Sequence, residues 1–358
     1  MKNNALKKLI PLVSTMHDAT HRHYRAAGLA HVPVPQIVGI TGACENVDTL
    51  FRVGSHVKVP LFFSQTGQLS LEQALQFYPG VYTVMHSGRD EETENNRHLR
   101  QFMLTEEEFD WSFVGKPDEK YDEEKICKAL LTRIEAVIKA ICNDVLEKNG
   151  DILNANDRDV EGLRESLTKP FHRINYEDAL ALLRVSGWPS LRWGTDLTSE
   201  HEAAVVDAIN AGQFPRPVFI MRYPKEIKFF NMKVSSADDR VVLSADLILP
   251  HAGEAVGSAV REHDGAKLEQ RLLGSTMYRL HLERGGTLED FRWYLDLVAS
   301  GNTRPHDGYG IGNERVLQYL LGANDIRDCS LFSVMARQTN DWRIKNVQEE
   351  PARILATA

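Results

Sequence analysis

Pro305-His-Asp-Gly-Tyr-Gly-Ile-Gly-Asn-Glu-Arg315 sets three alternating glycines, Gly308, Gly310 and Gly312, ahead of an arginine that opens an apolar helical run. Val316, Leu317, Leu320 and Leu321 recur at helical spacing, so one face of that helix is buried. Glycines let a backbone come close to a ligand, and the free N–H groups of a helix start favour an anion such as phosphate. Arg315 would add a permanent cation with a planar face. A plain glycine-rich turn has the same spacing, and the stretch alone leaves both readings open.

A second set of charged groups lies between Val81-Tyr-Thr-Val-Met85 and Phe102-Met-Leu-Thr105, two runs that read as strands. Residues 86–101 between them hold Arg89, Glu91, Arg97 and His98. Hairpin loops are normally short, so one of this length is a functional candidate. Two arginines and a histidine suit an anion, phosphate being the economical choice. Asp196, His201 and Glu202 look like a metal cluster in isolation, but Gly-Thr-Asp-Leu ahead of a helical pattern favours a capped helix start. Gln65 and Gln68 fall at a strand-to-helix turn, where amides line pockets or simply cap. His17 and His21 share a helix face without a completing carboxylate motif, which favours a solvated or dimer-facing helix.

These groups need positioning elements. Helical periodicity covers residues 4–29, 69–77, 121–148, 176–184, 199–211, 265–284 and 287–300. Short strands are expected at 36–40, 50–53, 61–64, 218–221, 229–233 and 241–249, the last carrying Asp246. Many strands without regular βαβ alternation indicate an α+β fold with a mostly antiparallel sheet in one large domain. The 358 residues, 42% hydrophobic and 26% charged, fit an ordinary globular protein. A net charge of −8 argues against a broad nucleic-acid footprint. Four cysteines without C-x-x-C spacing argue against zinc and a disulfide framework, and no signal or membrane segment shows, so a cytoplasmic enzyme is expected.

Arg89-x-Glu91 followed by Arg97-His-Leu-x-x-Phe102 resembles motif 2 of the class II aminoacyl-tRNA synthetases, and 305–322 resembles their motif 3. Pro35 stands where the motif 1 proline falls. Within the class the chain is most similar to archaeal-type asparaginyl-tRNA synthetases, through Ser64-Gln-Thr-Gly-Gln-Leu69, Arg222-Tyr-Pro-Lys-Glu-Ile-Lys-Phe-Phe-Asn-Met-Lys233, Asp246-Leu-Ile-Leu-Pro-x-x-Gly-Glu254, Gly257-x-x-x-Arg261-Glu262, Trp293-Tyr-Leu-Asp-Leu297 and Asn324-Asp-Ile-Arg-Asp328. The resemblance implies ATP and Mg²⁺ as cofactors. Arg89 and Arg315 would be catalytic, and Arg89, Glu91, Arg97, His98, Phe102, Asp246, Glu254, Gly312 and Arg315 would bind ATP. Asp246 and Glu254 would hold the metal. Glu45, Gln68, Glu106, Gly257 and Arg261 would bind the amino acid.

Four positions depart from the pattern. Leu71 replaces the lysine of aspartate-specific relatives, Gly88 an aromatic residue, Asp307 a small one and Asn313 an apolar one. Gly88, Asp307 and Asn313 either reshape the acceptor side of the pocket or carry no functional meaning. Synthetases of this subgroup carry an N-terminal OB-fold of about a hundred residues, and the roughly thirty residues before Pro35 are too few for that barrel. The resemblance then implies segments at 1–34 (dimer-facing), 35–337 (catalytic) and 338–358 (tail). It also implies a free-standing, homodimeric relative of the asparagine synthetase kind. Such an ATP-dependent ligase would adenylate aspartate or a close analogue and pass it to ammonia or another small amine, with tRNA, DNA and membranes counted out. Asparaginyl-tRNA synthetase-like aminoacylation, or an amide ligase of a specialised pathway, are the alternatives.

Overall fold

The structure is a computed structural model that describes residues 2–39, 49–54, 56, 60–91, 96–116 and 118–332. It opens with α1 (Lys2–Ala26), which buries Leu9, Leu12, Met16, Ala19 and Tyr24 at helical spacing. Four short strands follow, β1 (Ala30–His31), β2 (Ile37–Val38), β3 (Arg52–Val53) and β4 (Leu61–Phe63), then α2 (Gln68–Ala74). Two long strands, β5 (Gly80–Gly88) and β6 (Gln101–Asp110), flank the charged loop. α3 (Glu123–Asn154) starts where the Asp122 side chain accepts from the N–H groups of Glu124 and Lys125. Then come α4 (Val160–Thr168), β7 (His172–Asn175), α5 (Tyr176–Val185), α6 (Ser199–Ile209), β8 (Val218–Met221), β9 (Ser244–Leu249) and β10 (Gly253–Val260). The chain continues through α7 (Gly265–Leu273), α8 (Thr276–Glu283), α9 (Glu289–Ala299), β11 (His306–Gly312) and α10 (Asn313–Leu321).

Eight strands form one sheet in the order β1-β5-β6-β11-β10-β9-β8-β7, and β2-β4-β3 form a second. The expected α+β class holds. The large sheet is mixed: its interior pairs are antiparallel, while β1–β5 and β7–β8 at the two edges are parallel. One face carries Phe109, Phe219, Leu247, Leu249, Val256, Tyr309 and Ile311 into the main core, with apolar residues of α1, α3, α4 and α10. The opposite face is covered in patches. Val218, Ile220 and Ile248 pack with residues of α5 and α6 at one end, and a cluster drawn from α7, α8 and α9 lies at the other. Between them Met232 and Val242 pack on Ala259, while Gly257 and Gly310 keep partly exposed surface.

Several expectations change. The 229–233 segment is no strand; Met232 and Val234 make only isolated bridges, to Arg261 and Val242. The Arg271 guanidinium takes the carbonyls of Lys225, Phe229 and Met232, acceptors that a ladder would need. The 265–284 helix divides at Gly274–Ser275, where the Ser275 hydroxyl accepts from Tyr278 N at 3.0 Å and starts α8. β1, β7, β10 and α4 have no counterpart in the sequence reading. Among the described residues no helix is long and apolar enough to cross a membrane.

Candidate active site

Strand register builds the floor of the partly covered face. One row across the sheet runs Asp246, Gly257, Gly310, Glu106, and the next runs Ser244, Ala259, Gly308, Glu108. Directly paired residues share a face, so the first row shows two glycines between acidic ends, and the second shows small residues leading to Glu108. A Cβ on Gly308 would fall 2.1 to 2.3 Å from the Glu108 carboxyl atoms, so that glycine makes room for a neighbouring side chain rather than for a ligand. Cβ atoms at Gly310 and Gly312 would come no closer than 3.5 and 3.4 Å to anything. That space belongs to the cleft.

One end of the cleft gathers the cationic groups. Arg89 leaves β5 with its N–H bonded to Arg100 O at 2.9 Å, and its guanidinium lies 5.9 Å from the Phe102 ring centroid. Arg315, in the first turn of α10, donates to Ala252 O and, at 2.6 Å, to Arg97 O. Those bonds fix the guanidinium edge. Burial first, then the neighbouring Arg97, pulls Arg315 down to about 10, which leaves it charged at neutral pH. Partial enclosure, with Arg315, Arg89 and Arg97 nearby, holds the His98 imidazole below its ordinary value against the pull of Glu91. The structure thus brings Arg89, Glu91, Arg97, His98, Phe102 and Arg315 together as expected from the sequence.

Beside them stand three carboxylates. Asp246 is buried, with Lys228 Nζ 2.5 Å from its Oδ2. Glu254 keeps exposed surface although protein atoms crowd it, as a cleft-wall side chain does. Its carboxyl is raised chiefly by the charge of Asp246 and then by burial. Two hard-oxygen donors that repel each other across an open floor fit a magnesium ion, and Gly257, whose Cβ would lie 3.2 Å from Glu254 Oε1, leaves room beside them. Glu202 is the third carboxylate, pushed up to about 8 by burial and by Glu254 and Asp246. The expected cap is present, Thr198 with His201, yet the next residue of that helix reaches the cleft.

The other end is a buried polar lattice. Glu106 accepts from Thr66 Oγ1 and from Gly67 N at 2.6 Å, and burial raises its carboxyl. Gln68 Nε2 donates to Glu72 Oε1 at 2.6 Å, and Tyr294 OH donates to Glu72 Oε2 at 2.7 Å. The Arg261 guanidinium meets Glu108 Oε1 at 2.5 Å and lies 3.9 Å from Glu72 Oε1. Burial lifts Glu108 to about 7, with Arg261 opposing it. His306 Nε2 is 3.3 Å from Glu72 Oε2; burial works against its charge, but Glu72 outweighs it and the imidazole is raised. Glu72, Glu108 and His306 have metal-ligand spacing, but Arg261 already supplies the cation there. Leu71 is fully buried. Glu45 lies outside the described residues, as does the segment 338–358.

Glu72, Glu108, His306, Tyr294, Lys228 and Glu202 were not singled out as site residues from the sequence. Glu106-x-Glu108 on a strand and Gln68-x-x-x-Glu72 on a helix are spacings that place both pairs on one face, and so could have found four of the carboxylate and amide groups. Asp307 and Asn313 do not reshape the acceptor side of the pocket. Asp307 pairs with Phe109 on the core face, and Asn313 Oδ1 accepts from Thr105 Oγ1 at 3.0 Å. Gly88 is where Phe51 and Arg100 O close in, at 3.2 and 2.9 Å from an added Cβ. Gln65 is structural, donating to Thr49 O at 2.7 Å.

The profile of the tRNA synthetases class II (D, K and N) matches residues 1–336. An asparagine–tRNA ligase of Chloroflexus aurantiacus is 34% identical over 296 residues, 81% of this chain and 61% of that protein. One from Pyrococcus furiosus is 33% identical over 309 residues, 84% of this chain and 62% of that protein. This chain therefore spans less than two thirds of the length of the curated relatives it matches. The crystal structure of asparaginyl-tRNA synthetase from Pyrococcus horikoshii complexed with asparaginyl-adenylate superposes with a TM-score of 0.80 at 29% identity, covering 94% of this chain and 70% of that one. With two arginines and a phenylalanine beside paired carboxylates at one end of a glycine floor, and a family match over nearly its whole length, this chain belongs to the class II tRNA synthetases of the D, K and N group.

Proposed function

We propose that this chain is an ATP-dependent ligase that activates asparagine as asparaginyl-adenylate and transfers the acyl group to tRNA. The observation that carries the choice of amino acid is the Arg261–Glu108 pair at the inner end of the cleft. Glu108 and Glu72 already balance Arg261 and the neighbouring His306, and Leu71 offers no further cation. A side-chain carboxylate would enter without a spare positive charge, whereas an amide could accept from the guanidinium and donate to the glutamate.

The sequence reading favoured ammonia or a small amine as acceptor and counted tRNA out. The curated relatives are asparagine–tRNA ligases and the superposed structure is an asparaginyl-tRNA synthetase, which overturns both expectations. A charge of −8 is an average over 358 residues and does not describe any single face.

In the first step the asparagine α-carboxylate attacks the α-phosphorus of ATP, and pyrophosphate leaves. Arg89 bridges the carboxylate and that phosphate, where a planar fork can serve two anionic oxygens. Phe102 and the face of Arg315 hold the adenine between them, with Glu91 accepting from its amino group. Arg97 and His98 meet the outer phosphates. Asp246 and Glu254 would hold Mg²⁺, which would supply neutralisation of phosphate charge. Glu106 and Gln68 receive the substrate ammonium. In the second step a terminal tRNA hydroxyl attacks the acyl carbon and AMP leaves. A cytoplasmic homodimer with segments divided near residues 34 and 337 belongs to the same reading.

ATP–pyrophosphate exchange across amino acids, followed by tRNA charging, tests the proposal. Asparagine should support exchange at least about a hundredfold above aspartate, since a misplaced charge in a polar pocket costs several kcal/mol. Exchange with aspartate alone, or an adenylate released to ammonia but never to tRNA, would sink it.

A further inference from the structure

Glu202 is a buried carboxylate at the cationic end of the cleft that the adenylation chemistry leaves without a task. The Thr198–His201 capping box fixes where α6 begins, and Glu202 follows within its first turn. Its Oε2 accepts from Glu254 N at 3.2 Å. That N–H sits at an irregular point, because the β9–β10 register shifts between Glu254 and Val256. A bulge interrupts the ladder and leaves backbone groups in need of other partners. Glu202 supplies one from outside the sheet.

The neighbouring turn is just as crowded. Gly253 has a φ of 75°, which a side chain rarely tolerates. A Cβ there would lie 2.4 Å from an Arg97 guanidinium nitrogen, 3.2 Å from Glu202 Oε2 and 3.5 Å from Arg315 Nη1. Glu202 therefore stands where the charged loop, the start of α10 and the carboxylate-bearing strand meet.

We propose that Glu202 is a positioning residue for Mg²⁺–ATP: by accepting from Glu254 N–H at the bulge, it aims the Glu254 carboxylate at the metal that accompanies the triphosphate. This rests on the reading of Asp246 and Glu254 as the magnesium-holding pair. The bond needs an acceptor at the reach of a glutamate side chain. A glutamine provides one, while an aspartate falls a methylene short and an alanine has none. Partners that orient a metal ligand in this way typically change metal affinity by about 10- to 100-fold when lost.

The test is equilibrium binding of ATP to the full chain, without amino acid, over a Mg²⁺ series and in EDTA, with thermal melts alongside. Glu202→Gln should need the same Mg²⁺ for half-maximal ATP binding as the parent, within about twofold. Glu202→Asp and Glu202→Ala should need about tenfold more, with ATP affinity in EDTA unchanged. If Glu202→Ala does not fold, the Gln and Asp variants decide between them. Parental Mg²⁺ dependence in the Asp variant overturns the inference. So does a loss of the same size in EDTA, or a Gln variant as impaired as the Asp one. A parent whose ATP binding does not respond to Mg²⁺ overturns the metal reading of Asp246 and Glu254 itself.

Discussion

Arg315→Ala should cut asparagine-dependent pyrophosphate exchange by about 10²- to 10³-fold, the loss typical of removing a pre-placed group that meets transition-state charge. The guanidinium edge is held by Ala252 O and Arg97 O before any ligand arrives, so its face is presented without reorganisation. Arg315→Lys should lose nearly as much. A lysine keeps the charge but has neither the plane for adenine nor the two-pronged edge for the two carbonyls. That comparison separates shape from charge. Exchange within threefold of the parent in either variant would remove Arg315 from the nucleotide site.

Asp307→Ala should run in the opposite direction and stabilise the protein, by about 2 kcal/mol near pH 8. Asp307 is fully buried on the core face of β11, and neither carboxyl oxygen has a hydrogen bond among the described residues. Burial raises its carboxyl well above the usual range, Glu108 and Glu107 add to this, and Arg133 and Arg261 oppose it. The sign follows from linkage. Below the ordinary aspartate value of about 4, folded and unfolded forms are both protonated and the side chain adds no pH-dependent cost. As pH rises past that value the unfolded chain releases the proton and the folded one retains it, so stability falls. The gain from alanine should therefore be larger at pH 8 than at pH 4. Paired thermal melts at the two pH values measure it. A gain that is independent of pH, or a loss at pH 8, would refute the account.

The same residue shows how far the sequence could be read. Local periodicity located α1, α3, α5, α6, α9 and α10, because each buries one face at helical spacing. The charged loop after β5 and the arginine after β11 were legible through residue type and order. What local pattern could not show was which side of a strand faces what. Asp307 and Asn313 sit beside site glycines in the sequence, yet Asp307 alternates onto the core face beside Phe109, and Asn313 opens α10 and turns its amide to Thr105. β10 was hidden because Gly253, Glu254 and Gly257 read as a loop, although its pairing with β9 and β11 makes it a central strand. Glu202 entered the site through a contact between distant segments, and no spacing within one window encodes that. The acceptor was misjudged for a related reason: a whole-chain charge carries no information about one surface.

The row Asp246, Gly257, Gly310, Glu106 crosses four neighbouring strands. Adjacent strands stand about 4.8 Å apart, so its three steps cover roughly 14 Å of nearly bare backbone. On the proposed function the amino acid would sit toward the Glu106 end and the nucleotide toward the Asp246 end. The floor would then act as a ruler, its length rather than any one contact setting how far apart the outer ends of the two reactants are held.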